Sequence, residues 1–297
     1  MKKILISDSI DKNCISILQG LGYEVVYKPG MSPVQIKDEI ANYNGLIVRS
    51  ETKVNAELIS KMNEMEIIGR AGTGVDNIDV DAATRRGIIV MNTPGGNTIS
   101  AAEHTMALML SMCRNVPQAN ISVRDAKWER KKFQGTELFG KTLGVIGLGK
   151  IGREVAVRSK SFGMKIIGYD PLLSDEAASK LGIELSDLDT LFSKSDIITL
   201  HVPLSNETKH LISAESLSKC KNGVKIINCA RGGIIDEGDL VIAVDSGKVS
   251  AAAIDVFETE PPDLSQRIFN HPKIICTPHL GASTEEAQEK VAIQIAE

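Results

Sequence analysis

Leu143-Gly-Val-Ile-Gly147-Leu-Gly149-Lys-Ile-Gly152 joins an apolar run to a helix-like run through closely spaced glycines. A second apolar run follows the helix-like residues and ends at Asp170. The order of strand, glycine turn, helix, strand and acid is that of a unit which binds a dinucleotide pyrophosphate at the N-terminus of its helix. An isolated glycine-rich turn is the alternative, and the flanking strands and the acid disfavour it.

Each glycine of the turn has a separate predicted role. Gly147 permits the tight turn, Gly149 lets a phosphate approach the backbone, and Gly152 lets the helix pack close to the strand. The free N–H groups and the positive dipole end of the helix would then face the phosphates.

Asp170 predicts which dinucleotide binds. It lies 18 positions after Gly152, close to the spacing of about 20 expected for the acid that binds the ribose hydroxyls. A carboxylate there would repel a 2′-phosphate, and Pro171-Leu172-Leu173 supply no arginine to bind one. The sequence therefore predicts NAD rather than NADP as the cofactor.

Length and composition are those of an ordinary globular protein that can form two domains. The chain has 297 residues, of which 42% are hydrophobic and 24% are charged. A net charge of −4 argues against general nucleic-acid binding, which needs a basic face. The stretch from Ala101 to Cys113 is too short and too polar to span a bilayer, because it contains Glu103 and His104.

The N-terminal residues and the cysteines indicate the cellular compartment of the protein. Lys2 and Lys3 resemble the start of a signal peptide, but the apolar run stops at Ser7 and Asp8, so a first strand is the better interpretation. Five scattered cysteines show no metal or disulfide spacing. We therefore expect no bound metal, no membrane association and a cytoplasmic location.

Strand-like and helix-like runs alternate along the chain, which predicts an α/β fold with parallel sheets. Turn-forming residues from Asn92 to Asn97 predict a linker between two Rossmann or flavodoxin-like domains with a cleft between them. The predicted domains are residues 1–94 with 282–297, and residues 95–281. We expect the closing helix, Ser283 to Ala296, to cross back to the first domain. The predicted strands are Ile4–Ser7, Glu24–Tyr27, Leu46–Val48, Ile67–Arg70, Ile88–Met91, Ile197–Leu200, Val224–Asn228, Ala251–Val256 and Ile274–Cys276.

Ligands of open α/β sheets bind beyond the carboxyl ends of strands, so polar residues at those ends are candidates for function. The candidates are His201, Cys229-Ala230-Arg231, Asp255 and Pro278-His279. Glu260 lies shortly after Asp255 and before two prolines. We expect Arg231, Glu260 and His279 to converge at successive strand ends of one sheet.

Such a trio fits the transfer of a hydride from an alcohol carbon to nicotinamide. Histidine can accept the hydroxyl proton near neutral pH, and a neighbouring carboxylate orients the ring. Arginine can bind a substrate carboxylate with two hydrogen bonds. The alternative for each residue is an ordinary solvated side chain. Among the other histidines, His104 is expected to be a packed core residue, and His210 and His271 are expected in loops.

The whole chain resembles the D-2-hydroxyacid dehydrogenases. The matching phrases are Val48-Arg-Ser50, Gly69-Arg-Ala-Gly-Thr-Gly-Val-Asp-Asn77, Met91-Asn-Thr-Pro94, Lys127-Trp-Glu-Arg-Lys-Lys-Phe133, Gly147 to Gly152, Asn228-Cys-Ala-Arg-Gly-Gly233, Asp255 to Pro262 and Pro278-His-Leu-Gly-Ala282. Many relatives continue into a serine-binding regulatory region, whereas this chain stops at Glu297. We therefore expect a short form or a truncated chain without serine feedback.

The resemblance implies a role for each matching position. Arg231 would bind substrate, His279 would be the acid/base, and Glu260 would be its partner. The cofactor cleft would be lined by Lys150, Ile151, His201, Thr208, Cys229, Ala230 and Asp255. Substrate contacts from the first domain would come from Arg49, Ser50, Arg70, Gly72, Thr73 and Asn97.

The expected substrate is 3-phosphoglycerate, whose carboxylate and phosphate carry about three negative charges. Arg49 and Arg70 both close strands, and we expect them to bind the phosphate, unless they are ordinary surface arginines. The basic run Arg130-Lys131-Lys132 either reaches a partner subunit's cleft or, as the better interpretation, is a solvated face.

The predicted reaction is NAD-dependent oxidation of this substrate to 3-phosphohydroxypyruvate, the first step toward serine. Reduction of hydroxypyruvate or glyoxylate is the nearest alternative, and an NAD-sensing interaction protein on the same scaffold is another. The apolar helix from Ser100 to Cys113 and the segment around Trp128 predict a homodimer through this region.

Overall fold

A computed structural model describes residues 1–297 and divides the chain into two compact units. Unit 1 is Met1–Asn97 together with Ala282–Glu297, and unit 2 is Thr98–Gly281. Each unit is built around one parallel sheet. The predicted α/β class with two parallel sheets is confirmed.

The twelve strands are short and alternate with helices along the chain. They are β1 (Lys3–Ile6), β2 (Glu24–Tyr27), β3 (Gly45–Val48), β4 (Ile67–Arg70), β5 (Ile89–Asn92), β6 (Thr142–Ile146), β7 (Lys165–Tyr169), β8 (Glu184–Leu185), β9 (Ile197–Leu200), β10 (Val224–Asn228), β11 (Val249–Ile254) and β12 (Ile274–Cys276). The predicted strands coincide with these to within about two residues at each end.

The thirteen α-helices are accompanied by two short 3-10 helices, Ile40–Asn42 and Arg130–Phe133. They are α1 (Lys12–Gly20), α2 (Pro33–Glu39), α3 (Ala56–Ser60), α4 (Val80–Arg85), α5 (Thr98–Arg114), α6 (Val116–Arg124), α7 (Lys150–Ser161), α8 (Asp175–Lys180), α9 (Leu188–Lys194), α10 (Ala214–Lys219), α11 (Glu237–Asp245), α12 (Arg267–Asn270) and α13 (Glu285–Ala296). None of these helices is both long enough and apolar enough to cross a lipid bilayer.

Unit 1 has a five-stranded sheet in the order β2-β1-β3-β4-β5. The C-terminal helix α13 is capped by Thr284, whose side chain accepts a hydrogen bond from the Ala287 N–H. Its apolar side packs with α1 and β1, where Val291 and Ala292 are buried together with Ile4. Both ends of the chain therefore build this unit.

Unit 2 has a seven-stranded sheet in the order β12-β11-β10-β9-β6-β7-β8. The chain runs from β6 outward to β8 and then returns to β9 on the other side of β6. This reversal creates a crevice between the carboxyl ends of β6 and β9, where open α/β sheets bind ligands. Helix α5 packs in the core of the unit, with nine buried residues that include Met106 and Met109.

The boundary between the units falls at Asn97, three residues beyond the predicted position. Gly96 lies so close to α13 that a side chain there would collide with Val291. Asn97 accepts a hydrogen bond from the Thr73 hydroxyl at 2.6 Å. The linker residues therefore pack as part of unit 1 rather than as the start of unit 2.

Candidate functional site

The glycine turn of unit 2 has the geometry that phosphate binding needs. Gly147 adopts a φ of 91°, in the left-handed region that favours glycine. A side chain at Gly152 would collide with the Gly147 carbonyl. Gly149 caps α7 and faces open space, since an added methyl group would meet nothing within 4 Å. Lys150 and Ile151 are the first two residues of α7.

Asp170 lies beside this turn, at the end of β7. Its carboxylate accepts hydrogen bonds from the Leu148 N–H at 2.8 Å and from the Leu172 N–H at 2.9 Å. The acid is therefore fixed next to the helix N-terminus, where we predict that it meets the ribose hydroxyls of the cofactor.

His201 follows β9 on the other side of the crevice. Its N–H donates to the Ile146 carbonyl at 2.7 Å, and its Nε2 lies 3.0 Å from the Thr199 hydroxyl. Burial lowers the pKa of His201 to about 4, so the ring is neutral near pH 7. Thr208, by contrast, is engaged in its own loop, where its hydroxyl donates to the Pro203 carbonyl at 2.6 Å.

Arg231 follows β10 in a loop that the neighbouring backbone holds closely. Its main-chain oxygen accepts from the Asn228 side chain at 2.8 Å, and its guanidinium donates to the Ala230 carbonyl at 2.7 Å. A side chain at Gly232 would collide with the Phe257 carbonyl. The loop therefore lies directly against the segment that leads to Glu260.

Cys229 lies two positions before Arg231 in the same loop, and burial raises the pKa of its thiol to about 12.

His279 and Glu260 form a direct pair. The His279 Nδ1 lies 2.7 Å from Glu260 Oε2, and the other carboxylate oxygen accepts from the Phe257 N–H at 3.0 Å. Burial tends to raise the pKa of Glu260, but the hydrogen bond and charge of His279 outweigh it and hold that pKa below its ordinary value. Nδ1 is thus engaged, and Nε2 is the ring atom that can meet a substrate.

Asp255 is buried beneath the loop of residues 277–281, which carries His279. Its carboxylate accepts hydrogen bonds from the protein, including the N–H groups of Leu280 and Gly281 at 2.8 and 2.9 Å. Burial alone would raise the pKa of Asp255, but its hydrogen bonds, led by those from His104 and Thr277, hold the pKa below its ordinary value. The geometry makes Asp255 a support of the loop, and its contact with the cofactor stays a prediction.

Arg49 follows β3 in unit 1 and is positioned by a buried acid that the sequence did not single out. The Asp8 carboxylate accepts from the Arg49 N–H at 2.6 Å and from the backbone and hydroxyl of Thr52. The Arg49 guanidinium donates to the Ser9 carbonyl at 3.3 Å. Ser50 is the next residue and is exposed.

The remaining candidates of unit 1 gather at the same sheet edge. Arg70 ends β4 in register with Val48 of β3. Gly72 lies against the Arg70 guanidinium, so a side chain there would collide with it. Thr73 donates to Asn97, and its carbonyl accepts from the Asn92 amide at 2.6 Å. Arg49 and Arg70 therefore lie at the ends of adjacent strands, and their binding of a phosphate stays a prediction.

One histidine was misassigned from the sequence. His104 of α5 is not a purely packed core residue, because its Nε2 lies 3.1 Å from Asp255 and 3.3 Å from the Thr277 hydroxyl. The sequence signal was a polar pair, Ser100 and His104, one turn apart on a helix that also carries many apolar residues. No group of His, Cys, Asp or Glu side chains is arranged to hold a metal ion.

A model of the D-isomer specific 2-hydroxyacid dehydrogenase NAD-binding domain matches residues 106–281. The chain belongs to the D-isomer specific 2-hydroxyacid dehydrogenase family. The match covers nearly all of unit 2, and the turn geometry at Gly147, Gly149 and Gly152 fits a bound dinucleotide. The prediction of NAD as the cofactor is confirmed.

Curated members of this dehydrogenase family align with the whole length of this chain. D-3-phosphoglycerate dehydrogenase of Homo sapiens is 51% identical over 296 residues, which are 100% of this chain and 55% of that protein. This chain thus spans about half the length of the curated relatives it matches.

Solved structures of the family have the same fold. The TT0316 protein of Thermus thermophilus superposes with a TM-score of 0.91 at 30% identity, over 99% of this chain and 94% of the other. D-lactate dehydrogenase of Aquifex aeolicus, solved with NAD and lactic acid, gives a TM-score of 0.86 at 30% identity, over 99% and 93% of the two chains.

Proposed function

We propose that this protein oxidises 3-phospho-D-glycerate to 3-phosphohydroxypyruvate with NAD, the first step of serine biosynthesis. The observation that carries the proposal is the 2.7 Å pair of His279 and Glu260 at the carboxyl edge of an NAD-binding sheet. The named activity of the D-3-phosphoglycerate dehydrogenases that match the whole chain supports the choice of substrate.

His279 is the proposed acid/base. Glu260 holds Nδ1, which fixes the ring and leaves Nε2 to accept the proton of the substrate hydroxyl. The carboxylate also stabilises the imidazolium that forms. NAD, when bound, would accept the hydride from the carbon that bears this hydroxyl group. The alcohol thus loses a proton from its oxygen and a hydride from its carbon, and becomes a ketone.

Arg231 is proposed to bind the substrate carboxylate. A guanidinium offers two parallel N–H groups to a carboxylate, and such a pair fixes the orientation of the bound acid. We expect Arg231→Ala to lower kcat and to raise KM for the acid, since positioning and binding are lost together. A variant with unchanged steady-state constants would place the carboxylate elsewhere.

Arg49 and Arg70 are proposed to bind the phosphate. They end adjacent strands of unit 1, and Asp8 fixes the backbone of Arg49. A doubly charged phosphate needs more than one cation, whereas a lactate-type substrate has no group for them. We therefore expect a strong preference for 3-phosphoglycerate over D-glycerate.

The decisive experiment follows NADH absorbance with 3-phosphoglycerate, D-glycerate, hydroxypyruvate and glyoxylate. We expect kcat/KM for 3-phosphoglycerate to exceed that for D-glycerate by at least about 100-fold, because two charge-assisted contacts are lost with the phosphate. Equal efficiency would eliminate the phosphate site. His279→Gln serves as the catalytic control and should lower kcat by about 100-fold or more while NADH still binds.

The same assay tests the non-catalytic alternative. An NAD-sensing interaction protein would bind NADH, detected by the fluorescence of the nucleotide, and would turn over none of the four acids. Turnover that His279→Gln abolishes would exclude this alternative.

We further propose a homodimer through α6 and the segment around Trp128. Exposed apolar side chains cluster here, namely Val116, Ile121, Val123 and Trp128. Part of the sequence argument was wrong, because the apolar face of α5 is buried within unit 2 and needs no partner chain. The surface of α6 supports the dimer instead.

A cytoplasmic location is also proposed. All five cysteines are free, and burial raises the pKa of the Cys14, Cys220 and Cys276 thiols. Buried free thiols are typical of proteins in reducing compartments. Alkylation of the denatured protein, immediately after lysis of the native cells, should modify five thiols, and recovery of fewer would count against this location.

A further inference from the structure

Helix α5 of unit 2 directs two polar side chains at the loop of residues 277–281, the loop that carries His279. The Ser100 hydroxyl donates to the Gly281 carbonyl at 2.9 Å. One turn further on, the His104 Nε2 lies 3.1 Å from Asp255 Oδ1 and 3.3 Å from the Thr277 hydroxyl. Ser100 is buried and His104 is half-buried, so both polar side chains face the interior of unit 2 rather than solvent.

The Asp255 carboxylate receives four hydrogen bonds and is fully buried. Oδ1 accepts from His104, from the Thr277 hydroxyl at 2.6 Å and from the Leu280 N–H at 2.8 Å. Oδ2 accepts from the Gly281 N–H at 2.9 Å. An ionised carboxylate only accepts, so the His104 Nε2 must carry the proton that it shares with Asp255.

His104 and Thr277 are the two side-chain donors in this set, and the other two donors are backbone groups of the loop. A buried carboxylate that loses one donor is left with an unsatisfied acceptor, which is especially unfavourable for a charged group. The carboxylate then relieves this cost by rotating or by admitting water. Either change disturbs the hydrogen bonds to Leu280 and Gly281.

The backbone of His279 depends on those same contacts. His279 has a φ of 55°, a left-handed conformation that few non-glycine residues adopt. Its N–H donates to the main-chain oxygen of Asp255 at 2.9 Å. Asp255 therefore holds the strained residue through its backbone and the next two residues through its side chain.

We propose that His104 is a positioning residue of the reaction, which acts through Asp255 to fix the loop of residues 277–281 and the His279–Glu260 pair. This inference rests on the proposed catalytic role of His279. His104 does not contact the reacting atoms in this assignment. It determines whether His279 meets the substrate in the productive geometry.

Three variants of the full chain test the proposal. His104→Leu removes the donor and keeps an apolar side chain of similar volume, whereas His104→Gln offers an N–H near the position of Nε2. His271→Leu is the matched control, because His271 is also a partly buried histidine beside an aspartate, Asp245. It precedes β12, at the opposite end of that strand from Thr277.

We expect His104→Leu to lower kcat for 3-phosphoglycerate oxidation by about 10- to 100-fold, the size of effect that a misplaced catalytic group produces. The pH profile of kcat/KM should also change, because a longer His279–Glu260 contact weakens the hydrogen bond that holds the pKa of Glu260 below its ordinary value. His104→Gln should restore most of kcat, and His271→Leu should leave kcat and the profile unchanged.

A purely structural role would give a different result. If His104→Leu lowers the melting temperature but leaves kcat and the pH profile unchanged well below that temperature, the proposal is overturned. Equal loss of kcat in His104→Leu and His271→Leu would also overturn it, since the effect would then be general destabilisation.

A double-mutant cycle with Asp255→Asn tests the route of the effect. If His104 acts through Asp255, the loss in the double variant should be smaller than the product of the two single losses. If the loss in the double variant equals the product of the two single losses, His104 does not act through Asp255 and the proposal is overturned. His279→Gln separates this outcome from a failure of the proposed function, because full activity in that variant would remove the catalytic assignment itself.

Discussion

Asp170 combines a structural and a proposed binding role in one carboxylate. Its two hydrogen bonds to the backbone N–H groups of Leu148 and Leu172 hold it beside the glycine turn. The negative charge is thus held where a ribose 2′-substituent is expected, and it would repel a phosphate there.

We predict that Asp170→Ala relaxes the preference for NAD. The ratio of kcat/KM with NAD to kcat/KM with NADP should fall by about tenfold or more, since one charged hydrogen bond and one repulsion are removed. Asp189→Ala, on the exposed side of α9, is the control and should leave the ratio unchanged. An unaltered ratio in Asp170→Ala would show that the ribose lies elsewhere.

His201 makes the stability of the fold depend on pH. Burial lowers its pKa to about 4 in the folded chain, whereas an unfolded histidine takes up a proton near pH 6.5. The unfolded state therefore binds more protons as the pH falls from 6.5 to 4, and the free energy of unfolding decreases over that window.

We expect this loss to amount to roughly 2 kcal/mol in urea unfolding measured at pH 7 and at pH 4.5. His201→Gln retains an N–H for Thr199 and does not titrate, so the variant should lose less stability between the two pH values. The same decrease in both proteins would assign the effect to other groups.

At the scale of elements, the glycine turn and α7 allow fold and binding to be tested separately. An added methyl group at Gly149 meets nothing within 4 Å, and its φ of −66° suits alanine. An added methyl group at Gly152 would collide with the Gly147 carbonyl in the turn. The two glycines thus have different reasons to lack a side chain.

We predict that Gly149→Ala keeps the melting temperature within a few degrees and raises KM for NAD at least about tenfold, because the methyl occupies the proposed pyrophosphate space. Gly152→Ala should lower the melting temperature as well, because the turn must open. Normal NAD binding by Gly149→Ala, measured by fluorescence titration with NADH, would place the phosphates away from this helix.

The strands and the glycine turn could be predicted because their signals are local. Apolar runs bounded by turn residues give Ile197–Leu200 directly, and the glycine spacing identifies the N-terminus of α7. The residues that hold the site residues in place by long-range hydrogen bonds could not be predicted in this way. His104 meets Asp255 across 151 positions of sequence, and Asp8 meets Thr52 across 44, so only the folded chain brings them together.

At the scale of the whole molecule, an unpartnered apolar surface remains on unit 2. Helix α6 exposes Val116, Ile121 and Val123, and Trp128 follows with 79% of its surface exposed. Apolar side chains that are exposed this close together in the sequence make the segment a candidate protein interface. The two-fold symmetry of most homodimers would place the same surface on both protomers.

Trp128 is the only tryptophan, so its fluorescence reports on this surface alone. We predict a dimer mass by light scattering at micromolar concentration, with Trp128 emission that shifts to longer wavelength as dilution separates the protomers. Trp128→Ser should give a monomer, whereas Leu264→Ser, which changes another exposed apolar residue, should remain dimeric. A monomer mass with unchanged emission across the concentration range would show that this surface faces solvent or binds a different partner.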